Sequence, residues 1–386
     1  MDQKSHARET VEGAQQGLLD LSHRIHAHPE LGFEEEQASA WLCDALSGYG
    51  FAVEKGVGGL PTAFTARAGS GPLHLFICAE YDCLPAIGHA CGHNVIAAMA
   101  VGAALGARAV ADDAGLTITV VGTPAEEGAG GGKIILMNQG AFAQAHAAMM
   151  VHPGPWDVVQ PPIIAASMFE VHYTGKEAHA AAFPEMGINA ADALTVAQTA
   201  IGLLRQHIRA SDRVHGIITK GGDAPNIVPA HTSARYMVRT QMVEDLPGLR
   251  EKIVRCFQAG ALATGSTLEI IGERPPYAHM VHDAAIAEIY RGNAEALSRS
   301  FPDPARPGVL TPVSTDMGNV SLTLPSIQPL IGINSYPAVN HQPEFAAHCV
   351  SPDADRALMD GAIAMAWTAI DIAGTPAVRE RLMQRS

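Results

Sequence analysis

Two hydrophobic periodicities divide this chain of 386 residues, and they constrain its fold more than any other feature of the sequence. In the first part, short apolar runs alternate with helical stretches, as in strands that are buried on both faces of a sheet. The runs interpreted as buried strands are Leu73–Ala79, Leu116–Gly122 and residues 147–152, and the helices predicted between them span residues 95–110 and 132–140. This alternation of strands and helices predicts an α/β sheet with some parallel pairing.

After residue 152 the periodicity changes to an alternation of apolar and polar residues, which is typical of antiparallel strands with one covered face. Pro-rich segments at residues 153–162 and 275–276 bound this region. Its predicted order is strand, helix, strand, strand, helix, strand, at residues 166–173, 190–208, 214–219, 232–239, 246–264 and 267–271. Beyond it the chain returns to helix and loop, with an apolar strand at residues 327–333. We therefore predict a small βαββαβ domain inserted into an interrupted α/β domain.

The charge balance limits the partners that this chain can have. Its formal net charge is −14 and it has no basic run, so we expect no nucleic-acid partner and no binding to an anionic membrane surface. We find no apolar run of about 18 residues that would predict a transmembrane helix, and the polar first residues do not resemble a signal peptide. The six cysteines are scattered and do not form a disulfide framework, so we expect free thiols and a cytoplasmic location.

Side chains that can bind metal follow the predicted strands of the α/β domain, where ligands bind in open sheets. They are Cys91 and His93 after Leu73–Ala79, Glu126 and Glu127 after Leu116–Gly122, His152 after the third run, and His341 after residues 327–333. Thiolate, imidazole and carboxylate together suit Zn²⁺, whereas Mn²⁺ suits a site that is richer in oxygen and nitrogen. These candidates exceed one tetrahedral site, so two ions that share a bridging ligand would use them better.

Two other interpretations of these residues stay open at this point. Each residue alone is more often structural than ligating, and only their joint placement at strand ends favours a site. Cys91 could instead be the nucleophile of a thiol hydrolase, with a nearby histidine as its base. A metal-binding scaffold without catalysis would use the same ligands. The glycine-rich run that ends at Lys133 is not a phosphate-binding loop, because Ile134 follows the lysine instead of Ser or Thr.

Motifs in a fixed order run along essentially the whole chain. They are HPELGFEE at residues 28–35, HACGHN at 89–94, PAEEG at 124–128, HP at 152–153, GKEAH at 175–179, GINA at 187–190, GGDAPNIVP at 221–229, STDMGNVS at 314–321 and HQPEF at 341–345. In this order they resemble the M20 family of dinuclear metallopeptidases and amidohydrolases. The Cys-containing aminoacylase branch of that family fits best.

Within this branch, two features are similar to the p-aminobenzoyl-glutamate hydrolases and to the peptidase M20 domain-containing 2 dipeptidases. These are Asn94, where most members carry Asp, and the sequence Ala79-Glu80-Tyr81-Asp82. The resemblance implies an α/β fold, with a catalytic domain at residues 1–163 and 276–386 around a central mixed sheet. A ferredoxin-like βαββαβ lid domain at residues 164–275 would interrupt it.

The resemblance also implies roles for individual residues, position by position. The ligands of two divalent metal ions, Zn²⁺ or Mn²⁺, would be Cys91, His93, Glu127, His152 and His341. Glu126 would be the general base that activates water, and His179 would be a lid histidine that stabilises the oxyanion. The groups that face the substrate would be Asn226 and Arg239, which hold its carboxylate, together with Ser314 and Thr315.

The expected activity is hydrolysis of the amide bond in small N-acyl or aminoacyl amino acids, of the dipeptide or p-aminobenzoyl-glutamate type. Glu126 and His179 are both present, which argues against the scaffold, because metal binding requires neither of them. The antiparallel sheet of the lid would have edge strands that can pair between subunits, so we expect a homodimer that forms through the lid domain. The expected partners are therefore a second copy of the chain and a small-molecule amide substrate.

Overall fold

The computed structural model describes residues 2–272, 274–306 and 308–384. The chain folds into two compact units. The larger unit comprises Met1–Pro162 and Met280–Ser386, and the inserted unit is Ile163–His279. The inserted unit begins one residue before the predicted boundary at 164 and ends four residues after the predicted boundary at 275.

The first segment of the larger unit alternates helices and strands. Its elements are α1 (Gln3–Gly13), α2 (Gln15–Ala27), α3 (Glu36–Gly48), β1 (Ala52–Lys55), β2 (Phe64–Ala68), β3 (Leu73–Ala79), α4 (His93–Arg108), α5 (Ala111–Ala114), β4 (Leu116–Gly122), α6 (Gly132–Asn138), β5 (Ala147–Met149) and β6 (His152–Gly154). Strands β3 and β4 have the predicted bounds. Helix α1 begins where the Asp2 carboxylate accepts the backbone N–H of Lys4, which satisfies one donor of its first turn.

The inserted unit has the predicted βαββαβ order. Its elements are β7 (Ala165–Thr174), α7 (Ala190–Leu204), β8 (Arg213–Lys220), β9 (His231–Thr240), α8 (Leu246–Thr264) and β10 (Thr267–Ile271). The strands pair antiparallel in the order β10-β7-β9-β8, which is the ferredoxin-like arrangement. Phe169, Val171 and Tyr173 alternate along β7 and are buried in one core with residues of α7 and α8. Helix α7 ends before the predicted residue 208, because a 3₁₀ turn follows at Arg205–His207.

The last segment returns to the larger unit. Its elements are α9 (Ala284–Ala296), α10 (Met317–Ser321), β11 (Ser326–Ile327), β12 (Leu330–Gly332), α11 (Pro343–His348), α12 (Pro352–Gly374) and α13 (Pro376–Met383). Helix α12 is long and apolar enough to cross a membrane by length and composition alone. However, 83% of its most apolar window is buried inside the protein, and it packs against α4 and α9. Helix α12 is therefore a core helix of the larger unit.

The larger unit is built on a mixed sheet, as predicted. Its strand order is β1-β2-β4-β3-β5-β11, with parallel pairs from β4 to β11 and antiparallel pairs from β1 to β4. The predictions of one continuous strand at residues 147–152 and another at 327–333 are wrong. Each is split in two, and β6 pairs with β12 in a separate parallel ladder. Pro329 lies at the break and has no N–H with which to continue the first ladder.

Candidate active site

The loop after β3 brings Cys91 close to His152, at the start of β6. Between Cys91 and His93, Gly92 adopts a left-handed conformation with φ of 79°. A Cβ atom at Gly92 would lie 2.4 Å from Cγ of Pro153, so only glycine permits this approach. As a result, Sγ of Cys91 lies 3.5 Å from Nε2 of His152. The His152 ring is oriented by its Nδ1, which is 2.8 Å from the carbonyl oxygen of Pro153.

His341 reaches the same place from the last segment of the larger unit. Its backbone is left-handed, with φ of 69°, and its N–H donates to the carbonyl oxygen of Ala90 at 2.8 Å. This bond joins two loops that are far apart in the sequence. Nε2 of His341 then lies 3.7 Å from Sγ of Cys91 and 3.8 Å from Oε1 of Glu127.

The described residues form three groups of possible metal ligands; one comprises Glu80, His93 and Glu126, and the other two share one atom. Cys91, His93 and His152 make one group, and Cys91, Glu127 and His341 make the other, with the ligand atoms of each group within 4.8 Å of one another. The sulfur of Cys91 belongs to both groups, as a bridging ligand between two ions would. The structure thus brings together all the residues that the sequence predicts as ligands.

Unsatisfied atoms in this cluster fit a cation. Nε2 of His93, Oε1 of Glu127 and Oε2 of Glu80 are buried and make no well-aligned hydrogen bond within the described residues, although His93 Nε2 and Glu80 Oε2 face each other at 3.3 Å. A buried polar atom without a partner is costly, and a cation among these atoms would remove that cost. Thiolate, imidazole and carboxylate donors are those of zinc and manganese sites.

The pKa values of the cluster have one physical cause in common, which is burial. Burial raises the pKa of the Cys91 thiol well above its usual value, and the charge of Glu127 adds to this. Burial also raises the pKa of Glu127 to about 7. The pKa of Glu126 is raised well above its usual value by burial and then by the charges of Glu80 and Glu127. Without a cation these groups therefore hold their protons up to a higher pH than usual, and a bound cation would favour the loss of those protons.

Asp82 is a residue of the site that the sequence alone does not assign. It is fully buried, and its Oδ1 accepts a hydrogen bond from Nδ1 of His93 at 2.9 Å. Its Oδ2 accepts the backbone N–H of Glu127 at 2.8 Å. This contact fixes the His93 tautomer and leaves Nε2 for a cation. Asp82 lies in the acidic sequence directly after β3, and this position is the feature of the sequence that could have indicated its role in the site.

Lys133 forms a buried ion-pair network behind the ligand cluster. Its Nζ lies 2.5 Å from Glu80 and 2.6 Å from Asp316, and all three side chains are fully buried. The second carboxylate oxygen of Glu80 is 3.3 Å from Nε2 of His93. The network thus ties the loop after β3 and the first turn of α6 to the segment before α10. The sequence pattern excludes a phosphate-binding role for Lys133 and does not predict this structural one.

Within the inserted unit, the predicted substrate-binding residues do not form one cluster. His179 and Asn226 lie on adjacent loops, since the N–H of Ala180 donates to the carbonyl oxygen of Asn226 at 3.0 Å. Arg239 lies near the other end of β9, eight residues beyond its first residue, His231. At roughly 3.3 Å per residue, this separation is about 26 Å. The role of Asn226 and Arg239 in holding the carboxylate of the substrate stays a prediction, and their places near opposite ends of β9 bear on whether one chain supplies both.

The His179 ring is oriented by its own loop. Its Nδ1 accepts the backbone N–H groups of Ala181 at 3.3 Å and Ala182 at 3.1 Å. A neutral ring must then carry its proton on Nε2, which makes that atom a hydrogen-bond donor. Such a donor is what an oxyanion requires, so the loop favours the tautomer that the predicted role needs.

Ser314 and Thr315 belong to the segment that precedes α10. Thr315 is buried, and its Oγ1 accepts the backbone N–H of Met317 at 3.2 Å. Asp316, the next residue, is held by Lys133. A role of Ser314 and Thr315 in substrate binding stays a prediction.

Comparisons with known proteins identify relatives along almost the whole chain. Residues 165–264 match the model of the peptidase dimerisation domain of the M20 family. The chain is 39% identical to the Xaa-Arg dipeptidase of Mus musculus over 98% of its own length and 90% of that protein. It is 31% identical to one of the subunits of the p-aminobenzoyl-glutamate hydrolase of Escherichia coli, over 68% of its own length and 58% of that protein.

A solved structure shares the fold along almost the whole chain. It is the YXEP protein of Bacillus subtilis, described as a dinuclear metal-binding peptidase of the M20 family. The TM-score is 0.70 at 20% identity, over 94% of this chain and 99% of that one.

The fold, the ligand cluster and these relatives define a metal-dependent hydrolase of amide bonds. The chain belongs to the M20 peptidase family.

Proposed function

We propose that this protein hydrolyses the amide bond of dipeptides or other N-acyl amino acids with two divalent metal ions. The observation that carries the proposal is the shared position of the Cys91 sulfur in two ligand groups, with Glu126 beside them. Oε2 of Glu126 lies 3.9 Å from Nε2 of His93, so the predicted base borders the ligands. The named activities of the mouse and E. coli relatives supply the substrate classes to test.

The ions would be held by Cys91, His93 and His152 on one side and by Cys91, Glu127 and His341 on the other. When bound, they would polarise the scissile carbonyl group and lower the pKa of a water molecule toward about 7. The Glu126 carboxylate accepts the proton of the attacking water and returns it to the leaving amine. Its buried position raises its pKa, which suits a group that must hold a proton between these two steps.

The inserted unit would supply the groups that recognise the rest of the substrate. The Nε2–H of His179 would donate a hydrogen bond to the developing oxyanion, and the Arg239 guanidinium would bind a carboxylate. The loops of His179 and Asn226 lie near the His231 end of β9, and Arg239 lies about 26 Å along the strand from His231, so one copy of this unit would not bring both groups to one small substrate. We therefore propose a homodimer in which each site receives His179 and Arg239 from different copies.

The first experiment is a hydrolysis panel followed by mass spectrometry. It contains Xaa-Arg and other dipeptides, p-aminobenzoyl-glutamate, and N-acetyl amino acids, each with Mn²⁺, with Zn²⁺ and with a chelator. Cleavage that requires metal supports the proposal and identifies the acyl group. Cleavage that survives the chelator but is abolished by iodoacetamide would instead support a thiol mechanism through Cys91.

A mixing experiment tests the shared site. The variants His179→Ala and Arg239→Ala are purified separately and shown to be inactive. They are then mixed under conditions in which the dimers dissociate and exchange subunits. Half of the reassorted dimers are hybrids, and each hybrid would hold one intact site, so about a quarter of wild-type activity is expected. Lack of any recovery in dimers shown to have reassorted would exclude the exchange of these groups between subunits.

A further inference from the structure

Glu35 is a fully buried carboxylate in the larger unit, and neither the predicted ligand set nor the proposed mechanism uses it. It lies just before α3, at the end of the HPELGFEE motif. Its Oε1 accepts the backbone N–H groups of Phe33 at 2.9 Å and Ala125 at 2.8 Å. Its Oε2 accepts the hydroxyl of Thr62 at 2.9 Å. Both oxygens are therefore committed to neighbours that lie in three separate segments of the chain.

The two backbone groups that Glu35 holds belong to strained residues. Phe33 has φ of 69° and Ala125 has φ of 57°, a region that residues other than glycine rarely adopt. Such conformations persist only where the surroundings hold them. Ala125 comes directly before Glu126 and Glu127, so its conformation sets the direction in which this pair leaves β4.

The turn around Phe33 also packs tightly against Ala125. A Cβ atom at Gly32 would lie 2.8 Å from Cβ of Ala125. The turn therefore contacts Ala125 through its glycine and is bonded to it through Glu35. No comparable contact is needed to hold a solvent-exposed loop, because water would satisfy its backbone groups.

We infer that Glu35 is a positioning residue that holds Ala125 in its left-handed conformation and so directs Glu126 and Glu127 toward the metal cluster. The inference rests on the proposed roles of Glu126 and Glu127. Glu35 acts as a hydrogen-bond acceptor for two N–H groups, and its charge is not required. Gln has an oxygen at the same distance from the backbone, whereas the side chain of Asp is one methylene shorter.

The order of three variants tests this. Glu35→Gln should keep kcat within about threefold of the wild type, while Glu35→Asp and Glu35→Ala should each lower it roughly 10–100-fold with little change in KM. A charge-based role predicts the reverse order for Gln and Asp and would overturn the inference. Glu34→Gln, at an exposed neighbouring carboxylate, is the matched control and should behave like the wild type.

A second readout does not depend on activity. Hydrogen–deuterium exchange of the peptide covering residues 123–131 should accelerate in Glu35→Asp and Glu35→Ala, and the affinity for Zn²⁺ should fall in a chelator competition. Peptides from α12 and from the inserted unit should be unchanged. Unaltered exchange at residues 123–131 in Glu35→Asp would refute the inference, even if Glu35→Ala failed to fold. If the wild type cleaves no amide, the proposed function fails, and these two measurements still decide the role of Glu35.

Discussion

The imidazole of His93 is hydrogen bonded through Nδ1 to Asp82, at 2.9 Å, in a fully buried pair. The other oxygen of the same carboxylate accepts the N–H of Glu127. One side chain therefore orients two predicted ligands that follow different strands. The charge of Asp82, opposed by burial, raises the pKa of His93 well above its usual value, so a cation at Nε2 must displace a proton.

Asp82→Asn should weaken metal binding more than it weakens the fold. The amide oxygen can still accept from His93, but the amide nitrogen cannot accept the N–H of Glu127. Partners that orient metal ligands typically contribute about 10–100-fold to affinity, so a loss of that size is expected. Competition with a chromophoric chelator measures it, with Asp113→Asn on the exposed surface as control. Equal affinities of the two variants would contradict the orienting role of Asp82.

Glu126→Gln should bind metal normally and lose turnover. The amide cannot take a proton from water, and loss of a general base typically lowers kcat by about 10²–10⁴. Metal content by atomic spectroscopy and kcat on the best substrate are measured together. Glu127→Gln is the informative partner, because it should lose metal as well. Near-normal turnover of Glu126→Gln would exclude Glu126 as the base.

Lys133→Met should destabilise the larger unit. It leaves Glu80 and Asp316 buried without their cation, and removal of one partner from a buried ion pair costs about 3–5 kcal/mol. The free energy of unfolding of the metal-free protein, from urea titration, tests this. As a control, Lys55→Met removes an exposed lysine from the same unit and should change the free energy of unfolding little. A similar small effect of both variants would mean that the network adds no net stability.

The stability difference between the wild type and Glu35→Gln should depend on pH. Burial raises the pKa of Glu35 from 4.5 to about 7, so the folded protein holds this proton more tightly than the unfolded chain does. The resulting stabilisation is complete below pH 4.5 and is lost as the pH rises to about 7. The wild type should therefore lose about 3 kcal/mol relative to the variant over this interval. Urea unfolding of both metal-free proteins at several pH values gives this difference, and a constant difference would contradict it.

The sequence predicts the positions of the strands well where periodicity is strong. Residues of β3 and β4 are mostly apolar, and the predicted bounds match the structure. The strands at 147–152 and 327–333 are mispredicted, because hydrophobicity does not show where a ladder is interrupted; the two segments keep the same pairing on both sides of the break. Only the missing N–H of Pro329 marks this break, and a proline is also tolerated in many edge strands.

The predicted ligands are found together because they follow the parallel strands β3, β4 and β5 or, for His341, the ladder of β6 and β12. Asp82, Lys133 and Glu35 could not be assigned in the same way. Each acts by holding another group, and its partner is distant in sequence: Lys133 contacts Asp316, and Glu35 contacts Ala125. A charged residue in a sequence is expected to be exposed, so burial is the information that the sequence lacks.

The hydrogen bond from His341 to Ala90 also bears on how this protein is made. The ligands come from residues 91–152 and from residue 341, and the whole inserted unit is synthesised between them. During translation, Cys91 emerges from the ribosome long before the residue that completes its ligand group. A nascent chain can fold the inserted unit by local contacts, whereas the group of Cys91, Glu127 and His341 can form only after the last segment has been made. If the proposed second ion binds there, its site would be completed late in folding.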